Sequence, residues 1–174
     1  MARARMGEAL EIRPAKPSDA RAFLEFWTAI VAEERFVRSE EVEAPARVFR
    51  RRFRQRSGLE IHLIALEGGR LVGHVNVQRE RHPVTHHVAS LSIAVAADAR
   101  GRGIGRRLME RAIAWSKRVG VEKLVLSVYP NNQAAISLYR SFGFIDEGRL
   151  ARHSRKSYGY EDEILMAVWI GSES

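Results

Sequence analysis

The chain lacks cysteine and lacks any apolar run long enough to cross a membrane. The absence of Cys from its 174 residues excludes disulfides, thiolate metal ligands and a cysteine nucleophile. A membrane-spanning helix needs about 18 consecutive apolar residues, and no such run occurs. The basic N-terminus "MARARMG" is not followed by the apolar segment of a secretory signal. We therefore expect a cytoplasmic protein that does not bind membranes.

Internal repeats, low-complexity segments and clear linkers are also missing. Apolar residues make up 45% of the chain, which is enough to build a core. We therefore expect one domain over residues 1–174, with residues 1–7 as a flexible N-terminus.

Acidic residues are too few to balance the basic ones. There are 29 Lys and Arg against 21 Asp and Glu, a net charge of +8, which favours polyanionic partners such as nucleic acid, anionic lipid or a phosphorylated cofactor. Six arginines lie in "ARVFRRRFRQR" (46–56). Phe49 and Phe53 are four residues apart within it, so we interpret the segment as an amphipathic helix with a solvated basic face.

Hydrophobic periodicity predicts the order β, α, α, β, β, β, α, β, α, β, β, an α/β fold with a mixed sheet flanked by helices. Helices are expected at 16–34, 46–56, 104–119 and 132–142. Strands are expected at 9–15, on both sides of a turn at 67–69, and at 86–97, 123–129, 143–151 and 162–170. The central strand–loop–helix–strand unit should pair its two strands in parallel through a right-handed crossover.

The loop of that unit, "DARGRGIGRRL" (98–108), combines three glycines with several arginines. It lies inside one compact unit, which argues against a linker, and it has neither the third glycine of a dinucleotide fingerprint nor the Gly-Lys-Ser/Thr of a P-loop. Glycines expose backbone N–H groups, and a helix beginning near Ile104 adds its positive end. The loop therefore predicts a pyrophosphate site at a helix N-terminus, although the glycines could also serve only tight packing of helix on strand.

Two segments resemble a known family. "RGRGIG" (Arg100–Gly105) is similar to the R/Q-x-x-G-x-G acyl-CoA signature of the GNAT superfamily, the Gcn5-related N-acetyltransferases. "NQAAISLYRSFGF" (Asn132–Phe144) resembles the N-x-x-A-x-x-L-Y…GF segment of that superfamily. The element order fits over nearly the whole chain. The resemblance implies a mostly antiparallel mixed sheet whose parallel core is splayed around the acyl-CoA site.

The resemblance also implies an activity and its residues. The chain would transfer an acetyl group from acetyl-CoA to a primary amine of a small molecule, an amino acid or a peptide N-terminus, by direct attack in a ternary complex without a metal. Tyr139 would protonate the leaving thiolate, and Asn132 would contact the pantetheine arm. Their structural alternatives are core packing for Tyr139 and a helix N-cap for Asn132. The remaining cofactor contacts would be Ile93, Ala94 and Val95 along the pantetheine arm, and Arg100, Gly101, Arg102, Gly103, Ile104, Gly105 and Arg106 at the pyrophosphate.

The general base stays open. Ser127 occupies the position at which some relatives carry a glutamate, and a hydroxyl is a poor base. Glu34 is a candidate base at the end of the first helix, with a solvated carboxylate as its alternative. His87 is a second candidate base, although we expect it to have a structural role. A chain of water molecules could also accept the proton, and then no residue would act as the base.

The C-terminal segment "SYGYEDEILMAV" (157–168) fits a strand that reaches the acceptor cleft or a contact of a homodimer. Its acidic residues, Glu161, Asp162 and Glu163, could attract a cationic amine, but we favour solvated positions at the start of a strand.

Two other hypotheses compete with catalysis. One is a domain that senses acyl-CoA without turnover. The other, a nucleic-acid-binding module, ranks last because no recognisable motif or aromatic stacking pattern accompanies the basic charge.

Overall fold

The computed structural model describes residues 9–33, 44–54 and 58–171. Its seven strands form one sheet in the order β1-β2-β3-β4-β5-β7-β6. The strands are β1 (Leu10–Pro14), β2 (Glu60–Glu67), β3 (Arg70–Arg79), β4 (Val88–Val95), β5 (Lys123–Val128), β6 (Ile145–Lys156) and β7 (Gly159–Trp169). The helices are α1 (Ala20–Ala32), α2 (Ala46–Arg54), α3 (Ile104–Arg118) and α4 (Gln133–Arg140). The predicted element order and the mixed, mostly antiparallel sheet are confirmed.

The first helix starts later than predicted. Pro17 opens a short 3-10 turn (Pro17–Asp19), and α1 begins only at Ala20. The Asp19 carboxylate accepts hydrogen bonds from the Lys16 backbone N–H at 2.6 Å and from the Arg13 guanidinium at 2.6 Å. These bonds hold the pKa of Asp19 below its usual value, mainly through Arg13. The turn thereby ties the start of α1 to β1.

The hairpin of β2 and β3 closes as its glycines predict. Gly68 and Gly69 have φ of 56° and 79°, the left-handed values that a two-residue type I′ turn requires at both central positions. The hairpin is the centre of the antiparallel half of the sheet, because β1 pairs with β2 and β4 with β3.

The closing hairpin of β6 and β7 is longer than predicted. β6 continues from the expected end near residue 151 to Lys156. The extra residues are mostly charged and exposed on an edge strand, and the register shifts between Leu150 and Ser154. Arg152, within this irregularity, has φ of 52°. Such a bulge removes the alternation of polar and apolar residues that reveals a strand in a sequence.

Two hydrophobic clusters cover the two faces of the sheet. On one face α3 and α4 pack Ile104, Leu108 and Tyr139 against β3, β4, β5 and β7. On the other face α1 and α2 pack Phe23 and Phe53 against β2 and β3. The predicted basic amphipathic helix is confirmed in α2, since Phe49 and Phe53 are buried and its arginines are exposed. No helix within the described ranges is both long and apolar enough to cross a bilayer.

Parallel pairing between β4 and β5 is confirmed but short. It joins only Val88 to Lys123, Ala89 to Leu124 and Ser90 to Val125. Beyond Ser90, β4 continues to Val95 paired only with β3, and β5 continues to Val128 paired only with β7. The two strands therefore separate toward their carboxyl ends, and a gap opens in the middle of the sheet.

Gly73 sets how closely α3 approaches the sheet beside this gap. A Cβ at position 73 would lie 2.9 Å from Leu108 Cδ1 and 3.2 Å from Ile104 Cγ2. Gly73→Ala should therefore lower the free energy of unfolding by about 1–3 kcal/mol, or the melting temperature by roughly 3–10 °C. Gly148→Ala is the matched control, because the added methyl would meet only Leu165 at 4.0 Å. Equal melting temperatures for the two variants, measured by calorimetry, would contradict this account of Gly73.

Candidate active site

The gap between β4 and β5 is lined by backbone groups that the sheet does not use. The Ala96 N–H donates to the Val72 carbonyl at 2.9 Å, so alternate residues of β4 direct their N–H and C=O groups toward β3. Residues Ile93 and Val95 have the opposite parity, and their groups face the gap. A strand edge of this kind can pair with an extended ligand as if with a further strand.

Ala94, which was predicted together with Ile93 and Val95 to contact the pantetheine arm, differs from them in the direction of its backbone groups. Ala94 is opposite His74 in the register, and its backbone groups are directed to β3. The Val95 carbonyl accepts a hydrogen bond from Arg100 Nε at 2.9 Å. The backbone groups that face the gap without a hydrogen bond to β3 or to Arg100 are the N–H and C=O of Ile93 and the N–H of Val95. Of the three residues predicted to contact the pantetheine arm, these two therefore direct backbone groups into the gap.

The glycine loop adopts the backbone geometry of an anion site. Gly101 and Gly103 have φ of 73° and 78°, and a Cβ at either position would meet nothing within 4 Å. Gly103 is the N-cap of α3, and no side chain caps the helix there. The N–H groups of Ile104, Gly105 and Arg106 belong to the first turn, which has no intrahelical acceptors. These N–H groups and the helix dipole match a pyrophosphate.

Gly105 has a different role from the two glycines before it. A Cβ at this position would lie 3.2 Å from Leu138 Cδ2 of α4. The packing explanation of the glycines therefore applies to Gly105, whereas Gly101 and Gly103 are required by their positive φ.

Two arginines of the loop are paired with carboxylates. Arg100 binds Glu33 at the end of α1, with a closest distance of 2.7 Å, and Arg102 binds Glu67 at the end of β2. Arg106 donates to the Ser141 hydroxyl at 3.1 Å and lies over the ring of Phe142. The ion pairs hold the loop in place, and they offset part of the positive charge expected from its sequence.

Asn132 and Tyr139 lie at the two ends of α4. The Asn132 side chain caps the helix by accepting a bond from the Ala135 N–H at 3.2 Å, as its structural alternative predicts. Tyr139 is buried against Phe144, with ring centroids 5.8 Å apart. Burial raises the pKa of Tyr139 to about 12. The phenol therefore keeps its proton at neutral pH, as a proton donor must.

The face of the sheet opposite α3 carries a buried polar group that the sequence did not suggest. Ser127 pairs with Leu165 across β5 and β7, and Glu163 shares the face of Leu165 because it is two residues away. Glu163 is only 1% exposed and accepts a hydrogen bond from the Ser154 hydroxyl at 2.6 Å. Lys156, on the neighbouring strand, is also buried. The expectation of a solvated Glu163 is wrong, because the long hairpin covers it.

The other acidic and basic candidates have varied positions. Glu34 lies outside the described residues. Asp162 is bound by the Arg149 guanidinium at 2.8 Å and by the Arg152 N–H at 2.7 Å, and Glu161 is half-buried. His87 precedes β4 at the end remote from the glycine loop, roughly 26 Å along the strand from Val95. There its backbone carbonyl accepts hydrogen bonds from the N–H groups of Glu122 and Lys123, and its ring centroid lies 6.2 Å from that of Trp169.

A polar cluster on the face of β2 and β3 that α1 and α2 cover was missed entirely. Glu60 Oε1 lies 3.0 Å from His62 Nε2, and His62 Nδ1 lies 3.0 Å from His74 Nε2. Burial lowers the pKa of His74 well below its usual value, so its ring is neutral at neutral pH. These residues lie on two paired strands, and their spacing in the sequence gives no motif. Neither this cluster nor any other group of three or more His, Asp or Glu side chains among the described residues is arranged to hold a metal ion.

Comparison with known proteins identifies the family. The chain matches the Acetyltransferase (GNAT) family over residues 24–144. It is 29% identical over 121 residues to the L-amino acid N-acetyltransferase AaaT of Escherichia coli, covering 69% of this chain and 74% of that one. It is 27% identical over 166 residues to the L-amino acid N-acyltransferase MnaT of Escherichia coli, and the match covers 91% of this chain and 93% of MnaT. It is 40% identical over 77 residues to a ribosomal protein bS18 alanine N-acetyltransferase of Salmonella typhimurium, and the match covers 44% of this chain and 52% of that enzyme.

Solved structures share the fold over nearly the full length. A GNAT acetyltransferase from Streptococcus pneumoniae superposes with a TM-score of 0.86 at 29% identity, covering 94% of this chain and all of that one. The yncA protein of Salmonella typhimurium, solved with its cofactor acetyl-CoA, has a TM-score of 0.86 at 20% identity. The superposition covers 95% of this chain and 96% of yncA.

The glycines at the two ends of α3 allow a test of the glycine loop as the pyrophosphate site. Gly103 and Gly120 flank this helix with φ of 78° and 77°. Alanine at either position should cost about 1–2 kcal/mol of backbone strain. Only Gly103→Ala should also weaken acetyl-CoA binding, roughly 5–30-fold, because the ligand must restore the strained turn. Titration calorimetry measures both dissociation constants, and equal effects of the two variants would argue against the loop as the pyrophosphate site.

Proposed function

Because the chain belongs to the GNAT family of acetyltransferases, which use acetyl-CoA as acyl donor, we propose that its acceptor is the α-amino group of a free amino acid. The observation that carries the proposal is the extent of similarity to amino-acid acyltransferases. MnaT matches over 91% of this chain and 93% of its own length, so the match includes the elements on both sides of the gap.

A peptide N-terminus is the second candidate acceptor. The bS18 alanine N-acetyltransferase has the higher identity, 40%, but over only 44% of this chain. Both candidates present a primary amine on an α-carbon. They differ in the group on the other side of that carbon, which is a charged carboxylate in a free amino acid and a neutral peptide bond in a protein.

The gap provides the setting for acyl transfer. A thioester placed between β4 and β5, with the pyrophosphate on the α3 loop, would present its carbonyl oxygen to the N–H of Ile93 or Val95. An N–H donor fixed by the sheet stabilises the oxyanion that forms during attack. The amine would approach from the face opposite α3, where Ser127 lies. Since Ser127 is a poor base, the ammonium proton would leave to water or to Glu34.

Tyr139 would supply the proton that the leaving thiolate needs. It belongs to the cluster on the α3 side of the sheet, opposite the approach of the amine. Bond formation between nitrogen and the acyl carbon is followed by cleavage of the C–S bond, and the phenol donates to sulfur. The positively charged nitrogen formed by the attack loses its extra proton to water, and the phenolate recovers a proton from water, which leaves the neutral amide and coenzyme A thiol as products.

Removing the Tyr139 hydroxyl should affect turnover rather than binding. Tyr139→Phe is expected to lower kcat about 10²–10⁴-fold, the usual contribution of a general acid. Its acetyl-CoA dissociation constant and melting temperature should stay close to the wild-type values, because the ring still packs on Phe144. Unchanged kcat across the assay pH range would remove Tyr139 from the mechanism.

The raised pKa of Tyr139 also predicts the shape of the alkaline pH profile. The hydroxyl donates only while protonated, and a pKa of about 12 keeps it protonated beyond pH 10. The wild-type kcat, measured with saturating amine, should therefore show no decline with a midpoint near 10. A decline there that disappears in Tyr139→Phe would show that the phenol titrates at its ordinary value.

The acceptor is tested by release of coenzyme A thiol from acetyl-CoA over a panel of amines. Free L-amino acids should be turned over with higher kcat/KM than their carboxamides or than dipeptides beginning with the same residue. Nα-acetylated and α-hydroxy analogues are the negative controls. A preference for alanine-first peptides over every free amino acid would favour the second candidate instead.

A further inference from the structure

We propose that Glu60, His62 and His74 form a proton relay that takes the proton of the acceptor ammonium through water. The inference rests on the proposed function in one respect, because it requires the acceptor to be a primary amine. It applies equally to a free amino acid and to a peptide N-terminus. The relay would supply the proton acceptor that Ser127, as a poor base, does not provide.

These side chains form a continuous chain of hydrogen bonds across β2 and β3. Glu60 Oε1 lies 3.0 Å from His62 Nε2, and His62 Nδ1 lies 3.0 Å from His74 Nε2. The Asn76 amide donates to the Glu60 carboxylate at 3.2 Å and to the Ile61 carbonyl at 3.1 Å, which holds the carboxylate in place. The chain therefore ends at Glu60 on one side and at the second ring nitrogen of His74, Nδ1, on the other.

The hydrogen bonds determine which ring nitrogens carry protons when both rings are neutral. The bond from His62 holds the pKa of Glu60 below its usual value, so Glu60 is a carboxylate at neutral pH and His62 Nε2 must donate to it. His62 Nδ1 then has only a lone pair, and His74 Nε2 must donate to that lone pair. Burial lowers the pKa of His74 well below its usual value, so its ring is neutral and its Nδ1 also has a lone pair. The free end of the chain is therefore a proton acceptor.

His74 lies beside the gap, on the side from which the amine would approach. It is opposite Ala94 in the register of β3 and β4, and Ala94 lies between Ile93 and Val95, whose N–H groups face the gap. The His74 ring packs against Phe23 of α1 with ring centroids 4.7 Å apart, which places it on the face opposite α3. Neighbouring strands are about 4.8 Å apart. One strand spacing therefore separates His74 from β4, and a second separates β4 from a ligand in the gap.

One or two water molecules complete the connection from the amine to His74. The two nitrogens of an imidazole ring point in diverging directions, so Nδ1 is directed away from His62 on β2 and toward the side of β4. The Ala94 side chain is too small to block this direction. Ser92, the preceding residue of β4 on the same face, is exposed. Water therefore has access to the floor of the sheet between His74 and the gap.

Glu60 stabilises the proton once it has reached His62. An imidazolium at His62 would lie beside the carboxylate, and both side chains are mostly buried, with 8% of His62 and 19% of Glu60 exposed. Opposite charges attract more strongly at such depth than in water. The other charged residues that line the adjoining cavity of about 330 Å³ are Arg52 of α2 and Arg118 of α3. Arg52 adds to the lowering of the Glu60 pKa that the bond from His62 causes, and the side chains that α1 and β4 place against His74 are uncharged.

The relay moves one proton and forms no covalent intermediate. A water molecule takes a proton from the ammonium and gives one to His74 Nδ1, while the Nε2 proton of His74 moves to His62 Nδ1. The amine is left neutral, with a lone pair for attack on the thioester, and the proton rests on His62 beside Glu60. His74 does not keep the charge, so its low pKa is no obstacle. After the products leave, the proton returns by the same route to bulk water, and both rings regain their first tautomers.

The pH dependence of kcat/KM for the amine tests the relay, with wild type compared with His74→Gln. The wild-type enzyme would use the ammonium form, so its kcat/KM should change little between neutral pH and the pKa of the amine. Glutamine keeps a hydrogen bond to His62 Nδ1 but cannot pass a proton on, so only the neutral amine reacts with this variant. Its kcat/KM should be about 10²-fold below wild type near neutral pH, rise about tenfold per pH unit and reach the wild-type value once the amine is neutral.

Glu60→Gln tests the other end of the chain, and it carries the test alone if His74→Gln does not fold. Glutamine still offers an acceptor oxygen to His62 Nε2 but has no negative charge, so an imidazolium at His62 is no longer stabilised. Its kcat/KM near neutral pH should therefore fall by a smaller factor than in His74→Gln, and it should recover at high pH in the same way.

Ile64→Val is the matched control for packing. Ile64 is opposite His74 in the register of β2 and β3 and is also buried, but it has no proton to transfer. The lost methyl group should lower the melting temperature by roughly 1–6 °C and leave the pH profile of kcat/KM unchanged. A profile of Ile64→Val that matches that of His74→Gln would show that packing causes the change, and it would overturn the relay. Identical profiles for wild type and both relay variants would overturn it as well.

Nitrogen-15 NMR of the histidine rings tests the relay without any acceptor. At a pH where both rings are neutral, His62 and His74 should each show a protonated Nε2 and an unprotonated Nδ1. The opposite tautomer at His74 would overturn the proposal whatever the turnover. A preference for peptides over free amino acids would contradict the proposed acceptor but not the relay, because the same pH profiles are expected with a peptide amine.

Discussion

The parallel contact between β4 and β5 stops after three residue pairs, and the candidate active site depends on that interruption. Each strand keeps one antiparallel partner, β3 for β4 and β7 for β5, so the sheet stays intact on both sides while its middle opens. A fully paired β4 would have no N–H left for a ligand. The separation therefore converts the backbone of Ile93 and Val95 from part of the ladder into a binding edge, without requiring any special side chain.

The helices α3 and α4 pack close to the gap and to the glycine loop. Gly73 allows Leu108 and Ile104 to approach β3, and Gly105 allows Leu138 to approach α3, so both helices of this face lie close to the opening. Arg100 joins the end of β4 to Glu33 of α1, which links the loop to the helix on the other face. Close packing at two glycines and an ion pair between the loop and α1 therefore position the glycine loop beside the gap.

The sequence predicted those features that leave a local pattern. Helical spacing in α2 and α3, the paired glycines at 68 and 69, and the loop at 101–103 all imply their structure through neighbouring residues. Glu163 was misjudged because its burial depends on β6, whose extension past residue 151 is hidden by charged residues and a bulge. The cluster of Glu60, His62 and His74 depends on residues that only the register of β2 and β3 brings together. The cytoplasmic location, the single domain and the homodimer stay predictions.

Net charge alone describes this protein poorly, because its arginines have different electrostatic surroundings. Arg100 and Arg102 of the loop are paired with carboxylates, so a phosphate placed there would be bound chiefly by backbone N–H groups and the dipole of α3. The exposed arginines of α2, namely Arg47, Arg50, Arg51 and Arg54, form none of the salt bridges between described residues, and their charge is solvated. Salt screens solvated charges more strongly than hydrogen bonds to fixed N–H groups. Cofactor binding at the loop should consequently depend less on salt concentration than the net charge of the chain implies.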